Sequence, residues 1–340
     1  MEVVKTQFHG RELSIETGRM AKQAAGSVIV RAGDTMILAT ATISAKPKED
    51  ADFFPLTVDF QEKYYASGKI PGGFFKREAK PTTKATLTAR LTDRPLRPLF
   101  PEGFRNAVHI VVTTLSYDGK NTPDVLGMIG ASAALSISKI PFAGPVAAVM
   151  VGFIEGEFII NPSPEELEFS QLELVVAGTK DAIMMVEAGA KEISEEKMLE
   201  ALEFGHQELK KLISLQEELV KKVSQPKMEV ELDKVDPAIE KKVKDLIAKD
   251  IQKAFKAEGK QARYDALDAA KEKLMVEMKK ELGEEKFEGE ESHIKQVFES
   301  IEYHEMRTMI LKEHKRVDNR KFDEIRTLTS EVGALPCVHG

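Results

Sequence analysis

At 340 residues the chain is too long for one ordinary hydrophobic core, and 42 % hydrophobic with 31 % charged residues suits a soluble globular protein of two or three domains. One cysteine, Cys337, excludes an intrachain disulfide and a cysteine-rich zinc site. No apolar run approaches the roughly 18 residues of a membrane span, and Met1–Lys5 lacks the basic-then-apolar pattern of a secretory signal, so a cytoplasmic protein is expected.

Residues 1 to about 190 read mainly as short strands with turns between them. Ser27–Arg31 and Thr35–Thr40 flank Ala32-Gly33-Asp34, a hairpin signal, and further strands are expected at Leu56–Phe60, Val108–Leu115, Val146–Phe153, Glu157–Ile160, Leu172–Ala177 and Ala182–Val186. A helix is expected from Thr83 to Arg94, ended by Pro95, and a second from Asp124, as N-cap, to Ser138. Gly127, Gly130, Ala131, Ser132, Ala133 and Ala134 give the second helix a small-residue surface suited to close packing on a sheet.

From Ser194 to Val223 the apolar spacing turns helical, and Ser224-Gln225-Pro226 breaks it. Between 236 and 314 the chain is rich in Lys, Glu and Ala, with Ile239, Val243, Ile247, Ile251 and Phe255 every fourth residue. That stripe predicts an all-helical domain, and its mixed charges predict solvated faces rather than a nucleic-acid surface. The tail beyond Arg316 is polar, then ends in Val332–Gly340, which reads as the opening of a third folded unit that the chain does not complete.

The net charge of −7 does not itself suggest a polyanionic partner, but its distribution does. Between Lys69 and Arg105 stand nine basic residues, opposed only by Glu78, Asp93 and Glu102. An acidic body with one basic segment holds a polyanion locally and repels it elsewhere, although a solvated charged face would look the same. Within that segment Pro71-Gly72-Gly73 marks a turn presenting Phe74 and Phe75, followed by Lys76 and Arg77. Aromatics beside cations on a loop suit single-stranded nucleic acid, with bases on the rings and phosphates on the cations; taken in isolation, two adjacent phenylalanines read first as core residues. Arg90 and Arg94 share one helical face, Arg97 follows Pro95, and guanidinium forks suit phosphate. Structural ion pairs, with Asp93 and Glu102 as the nearest partners, are the alternative.

The run Gln61–Glu78, continued by Arg90–Phe104, is similar to the first core domain of bacterial polynucleotide phosphorylases, and so are Met128–Leu135, Leu174–Thr179 and Phe204-Gly205-His206. The resemblance covers the whole chain and implies an α+β ribonuclease PH-like core over 1–225, an all-helical linker domain over 226–314 and the start of a truncated second ribonuclease PH-like core over 315–340. It implies a reversible 3′-to-5′ phosphorolytic exoribonuclease that turns RNA and inorganic phosphate into nucleoside diphosphates. It also implies a homotrimeric ring with RNA threading the centre, and Mg2+ held in the missing second core. Phe74, Phe75, Lys76 and Arg77 would line the channel entrance, with Arg90, Arg94 and Arg97 near the RNA path. Asn319 stands where the family usually has glycine, a turn position that asparagine tolerates.

Catalytic residues are expected to be absent from this half. The phosphate-holding, serine-rich turn of the family's active copy is here Asn121-Thr122-Pro123-Asp124, where Asp124 would put its own negative charge at a helix N-terminus. The acidic Gly-Asp-x-Asp of that copy is here Ser170-Gln171-Leu172-Glu173; Glu173 and Glu165 remain, but neutral Gln171 cannot replace a carboxylate for a hard cation. The seven histidines show no metal-ligand spacing, His206 is expected to satisfy a hydrogen bond at a helix contact, and no G-x-x-x-x-G-K-[ST] loop occurs. Two other readings stay open at this stage: a first core that is phosphorolytic by itself, and a non-enzymatic RNA-binding scaffold.

Overall fold

The computed structural model describes residues 1–48, 51, 53–78 and 80–338, and the chain divides into two compact units, Met1–Asp233 and Lys234–Gly340. In the first unit β1 (Glu2–Phe8), β2 (Arg11–Thr17), β3 (Gly26–Ala32) and β4 (Thr35–Pro47) pair as an antiparallel meander. Of the next two strands, β5 (Leu56–Gln61) and β6 (Asn106–Ser116), β6 pairs antiparallel with β4 and β5 lies parallel to β6 at the edge, giving the order β1-β2-β3-β4-β6-β5. A second, antiparallel sheet has the order β10-β9-β7-β8, from β7 (Ala147–Ile154), β8 (Glu157–Ile160), β9 (Leu172–Gly178) and β10 (Ile183–Ala190).

Four helices complete the unit: α1 (Thr83–Leu96), α2 (Pro123–Ile137), α3 (Pro164–Phe169) and α4 (Glu195–Val223). Each expected strand and long helix is present, whereas β1, β2 and the short α3 were not expected. Two expectations are corrected at helix ends. Pro95 lies inside α1, one residue before its end, where the missing N–H costs a single bond in the last turn and Arg97 N–H still reaches the Asp93 carbonyl. The N-cap of α2 is Thr122, because Pro123, with its fixed φ and no N–H to satisfy, takes the first helical position; Asp124 follows inside the first turn.

Helix α2 is the centre of the core. It packs on β3, β4 and β6 of the larger sheet and on β7 of the smaller, and all its residues but Asp124 are buried. Its glycines permit that approach: a methyl group at Gly130 would stand 2.9 Å from Ala39 Cβ, and one at Gly127 2.7 Å from the Phe60 ring. Ser132 Oγ accepts the Val146 N–H at 2.8 Å, fixing the entry to β7. Residues 226–233 belong to this unit. Lys227 Nζ donates to the carbonyls of Leu135, Ser136 and Ser138 at 3.1, 3.0 and 2.8 Å, a cationic cap on the C-terminus of α2, and burial pushes its ammonium below the usual lysine range.

The second unit is a bundle of α5 (Pro237–Ala254), α6 (Lys260–Leu282) and α7 (Glu284–Glu313) with its own apolar cluster. Ile239, Val243, Ile247 and Ile251 of the fourfold stripe are buried there, and Phe255 packs partly against them. Beyond α7 there is no regular element among the described residues; Asn319 takes a left-handed φ of 61°, as a glycine-preferring turn position requires. His339, the last of the histidines, lies outside the described residues.

Candidate nucleic-acid interface

The loop that follows β5 is closed at its base by three polar links. Thr82 Oγ donates to Glu62 at 2.7 Å while accepting the Ala85 N–H as N-cap of α1; Lys63 pairs with Glu78 at 3.3 Å; and Glu78 also accepts the Tyr64 N–H at 2.7 Å. The Tyr64 amide, and secondarily Lys63, hold the Glu78 carboxyl below the usual carboxylate range. Tyr64–Ser67 form a 3₁₀ turn whose Ala66 carbonyl accepts the Tyr117 N–H at 2.8 Å, tying the loop to the end of β6. The loop therefore leaves the body from a fixed stem.

At its tip Gly73 adopts φ 74° and Lys76 φ 51°, and the turn between them turns both rings outward. Phe74 is 93 % and Phe75 78 % exposed, edge to face at 5.4 Å, so neither is a core residue. Exposed apolar rings have no fold-level reason to share one loop. Lys76 and Arg77 are exposed too and make no ion pair among the described residues. Beside them lies an open depression of about 520 Å³ lined by Tyr65, Lys69, Ile70, Lys76, Arg77 and Glu78. Tyr64, Tyr65 and Ile70 add exposed apolar surface that the sequence does not single out; the adjacent tyrosines before a glycine turn were the available signal.

Arg90 and Arg94 of α1 and Arg97 just past its end separate into different roles. Arg90 is exposed and makes no ion pair or side-chain hydrogen bond among the described residues. Arg94 pairs with Glu187 of β10 at 2.7 Å, and both partners are about half exposed to water, so the pair opens at little cost. Arg97 is committed to the fold: it grips Asp93 through two bonds of 2.8 and 2.7 Å, donates to the Phe54 and Leu56 carbonyls, and lies over the Phe54 ring at 5.6 Å. Asp93 is the partner the sequence offers, Glu102 is not used, and Glu187, 93 residues from Arg94, is beyond reach of sequence reasoning.

The turn before α2 is filled by its own side chains. Asp118 accepts from the backbone N–H groups of Asp34, Lys120 and Asn121 and from Thr35 and Asn121 side chains; burial opposes its ionisation, but these bonds prevail and hold its carboxyl far below the usual range. Asp124 is mostly buried with Oδ2 3.6 Å from Lys84 Nζ and Oδ1 unpartnered. Burial raises its carboxyl above the usual range, against Lys84 and with a further push from Glu62. Gln171 just before β9, Glu173 in β9 and Glu165 in α3 are exposed, and among the described residues no three His, Cys, Asp or Glu side chains converge as metal ligands. His206 donates from Nε2 to the Thr179 carbonyl at 3.0 Å, the structural bond expected of it.

Comparison with known proteins agrees along the chain. Residues 9–141 match the model of the 3′ exoribonuclease family, domain 1, residues 144–208 match domain 2, and residues 238–321 match the polyribonucleotide nucleotidyltransferase RNA binding domain. Polyribonucleotide nucleotidyltransferases of Natranaerobius thermophilus, Heliobacterium modesticaldum and Streptococcus gordonii are 53, 49 and 52 % identical over 99, 100 and 100 % of this chain. The chain belongs to the polyribonucleotide nucleotidyltransferase family. It spans about half the length of these relatives, 48, 47 and 47 %. Its first unit has the family's mixed α+β ribonuclease PH-like fold, and its second is the helical region that follows. A solved archaeal exosome core aligns over 64 % of this chain and 85 % of its own, with a TM-score of 0.46 and 17 % identity. Among the described residues no helix is long and apolar enough to cross a membrane.

Proposed function

We propose that this chain is the RNA-holding, ring-building portion of a cytoplasmic 3′-to-5′ phosphorolytic exoribonuclease. The complete protein converts RNA and inorganic phosphate reversibly into nucleoside diphosphates as a homotrimer. Mg2+ and the reacting phosphate are held in the second ribonuclease PH-like core, of which residues 315–340 are the opening. The observation that carries the reading is the exposure of Phe74 and Phe75 on a stemmed loop beside unpaired Lys76 and Arg77. Rings stack successive bases and cations follow the phosphates, which binds a single strand with little regard to sequence, as processive degradation needs. Arg90 and Arg94 continue that path along α1, while Arg97 sets the helix in place. The relatives' names supply the substrate class, and the family description of residues 238–321 extends RNA contact to the helical unit.

The absence of turnover in this portion is supported by Asp124 and Gln171. At the helix N-terminus where phosphate would sit, a carboxylate already occupies the space; where a metal-binding carboxylate would stand, an amide does. The test is phosphate-dependent release of nucleoside diphosphates from poly(A) by the 340-residue chain, with and without Mg2+, alongside RNA binding over a salt series. No release with salt-sensitive binding is expected. Release at the rate of a complete enzyme would overturn the non-catalytic assignment, and an unchanged RNA affinity in Phe74→Ala/Phe75→Ala would overturn the channel loop, since stacking is worth about 1–3 kcal/mol per base.

A further inference from the structure

The helices of the second unit alternate in direction, so the C-terminus of α5, the N-terminus of α6 and the C-terminus of α7 share one end. Gln252 of α5 donates to Glu305 of α7 at 2.9 Å, and Arg263 of α6 donates to the Val317 carbonyl just past α7 at 2.8 Å, which fixes the arrangement. The opposite end opens α7 with Glu284, Glu285, Glu288, Glu290 and Glu291, where Lys279 and Lys280 close α6 and Lys242 pairs with Glu281. At the shared end Lys256, Lys260, Lys312 and Lys315 are exposed, come from two distant stretches of the chain, and make no ion pair among the described residues. Of the acids at this end, Asp250 pairs with Lys273 and Asp318 with Arg320, while Glu258, Asp265, Asp268 and Glu313 are exposed.

One aromatic sits among these cations. Tyr264 is 50 % exposed, with Lys260 Nζ 5.6 Å and the Arg263 guanidinium 6.0 Å from its ring centroid. Lys260 moreover opens α6, which has no acid in its first turn. A lysine at the positive end of a helix dipole is locally unfavourable, and a polyanion laid across that end relieves it. A solvated charged face would not require a half-exposed ring flanked by two cations, nor cations gathered from sequence-distant segments.

We propose that this end of the helical unit is a second docking surface for single-stranded RNA, in which Tyr264 stacks a base and Lys256, Lys260, Lys312 and Lys315 hold phosphates. The inference rests on the RNA-holding reading above and adds a surface separate from the Phe74–Arg77 loop. A single strand fits better than a duplex, because only an unpaired base is free to stack on the half-exposed ring.

The test uses the full 340-residue chain and fluorescent oligo(A), with binding measured by anisotropy at several salt concentrations. Tyr264→Ala is expected to weaken binding about fivefold or more. Lys256→Ala/Lys260→Ala/Lys312→Ala/Lys315→Ala is expected to flatten the log–log salt dependence by about 0.7 for each phosphate that is no longer held. A 4-thiouridine oligonucleotide should crosslink to the peptide carrying Tyr264. If both helical variants bind as the parent does while Phe74→Ala/Phe75→Ala loses affinity, this surface is refuted and the loop stands. If none of the three variants loses affinity, both readings fall together. Displacement of oligo(A) from the loop-substituted chain equally well by poly-glutamate would replace RNA by a generic acidic partner and overturn the proposal.

Discussion

Asp124 and Arg97 show how single side chains decide what this site is able to do. Asp124 is a mostly buried carboxylate with one unpartnered oxygen, and burial raises its carboxyl above the usual range. A raised value in the folded state means stability that is present at low pH and lost as pH rises through the folded value. Asp124→Asn removes that loss while keeping shape and polarity. The variant is expected to match the parent below about pH 3 and to gain about 1 kcal/mol near pH 8, in line with the cost of an unsatisfied buried polar group. Denaturant midpoints across that pH range check it; a loss at pH 8 would mean that the Lys84 pair outweighs burial. Arg97 and Arg90 should separate in the opposite sense to their shared chemistry. Arg97→Ala removes a carboxylate fork and two bonds to carbonyls and is expected to cost about 2 kcal/mol of stability. Arg90→Ala touches nothing in the fold, should change stability by less than about 0.5 kcal/mol, and should lower the salt slope of RNA binding by about 0.7. Paired denaturation and binding curves would expose an exchange of the two roles.

Among the elements, α2 carries the tightest constraint. Gly130 faces Ala39 and Val30, with a Cβ already meeting Ala39 at 2.9 Å, so Gly130→Leu must push the helix off the larger sheet. Overpacking of this kind costs about 1–3 kcal/mol, read as a lower denaturant midpoint; a gain would mean that α2 has room to move. That constraint was legible beforehand, because a helix with two glycines and a run of alanines makes sense only against something close. The helices α4 and α5 were legible for a different reason, since Ser194 and Asp236 cap sequences with regular apolar spacing. Strands β1 and β2 were not, because only Val4, Phe8, Leu13 and Ile15 are buried in them and, Val3 apart, polar residues fill the rest. A sparse alternation of that sort gains meaning only from pairing with β3. The loop at Phe74 and Phe75 was half legible: the residues stood out, but their exposure depends on the stem made by Glu62, Lys63, Glu78 and Thr82, which composition does not reveal.

At the scale of the molecule, the same limit applies to charge. The signs in the helical unit look evenly mixed along the sequence, and only the alternating helix directions bring Lys256 and Lys260 to the same end as Lys312 and Lys315. Its apolar cluster, from Ile239 to Ile301, shares no residue with the core of the first unit. Two separate cores imply that damage to one is felt there first. Ile251 is fully buried in the helical cluster, so Ile251→Ala is expected to cost that unit about 2–5 kcal/mol. Hydrogen exchange followed by mass spectrometry distinguishes the two outcomes. Protection should fall across α5, α6 and α7 while α2 and the strands β3, β4 and β6 keep theirs, and RNA binding through the Phe74 loop should persist as the Tyr264 contribution disappears. An equal fall in both units would mean that the chain unfolds as one, and the two RNA surfaces would then have to be tested by surface substitutions alone.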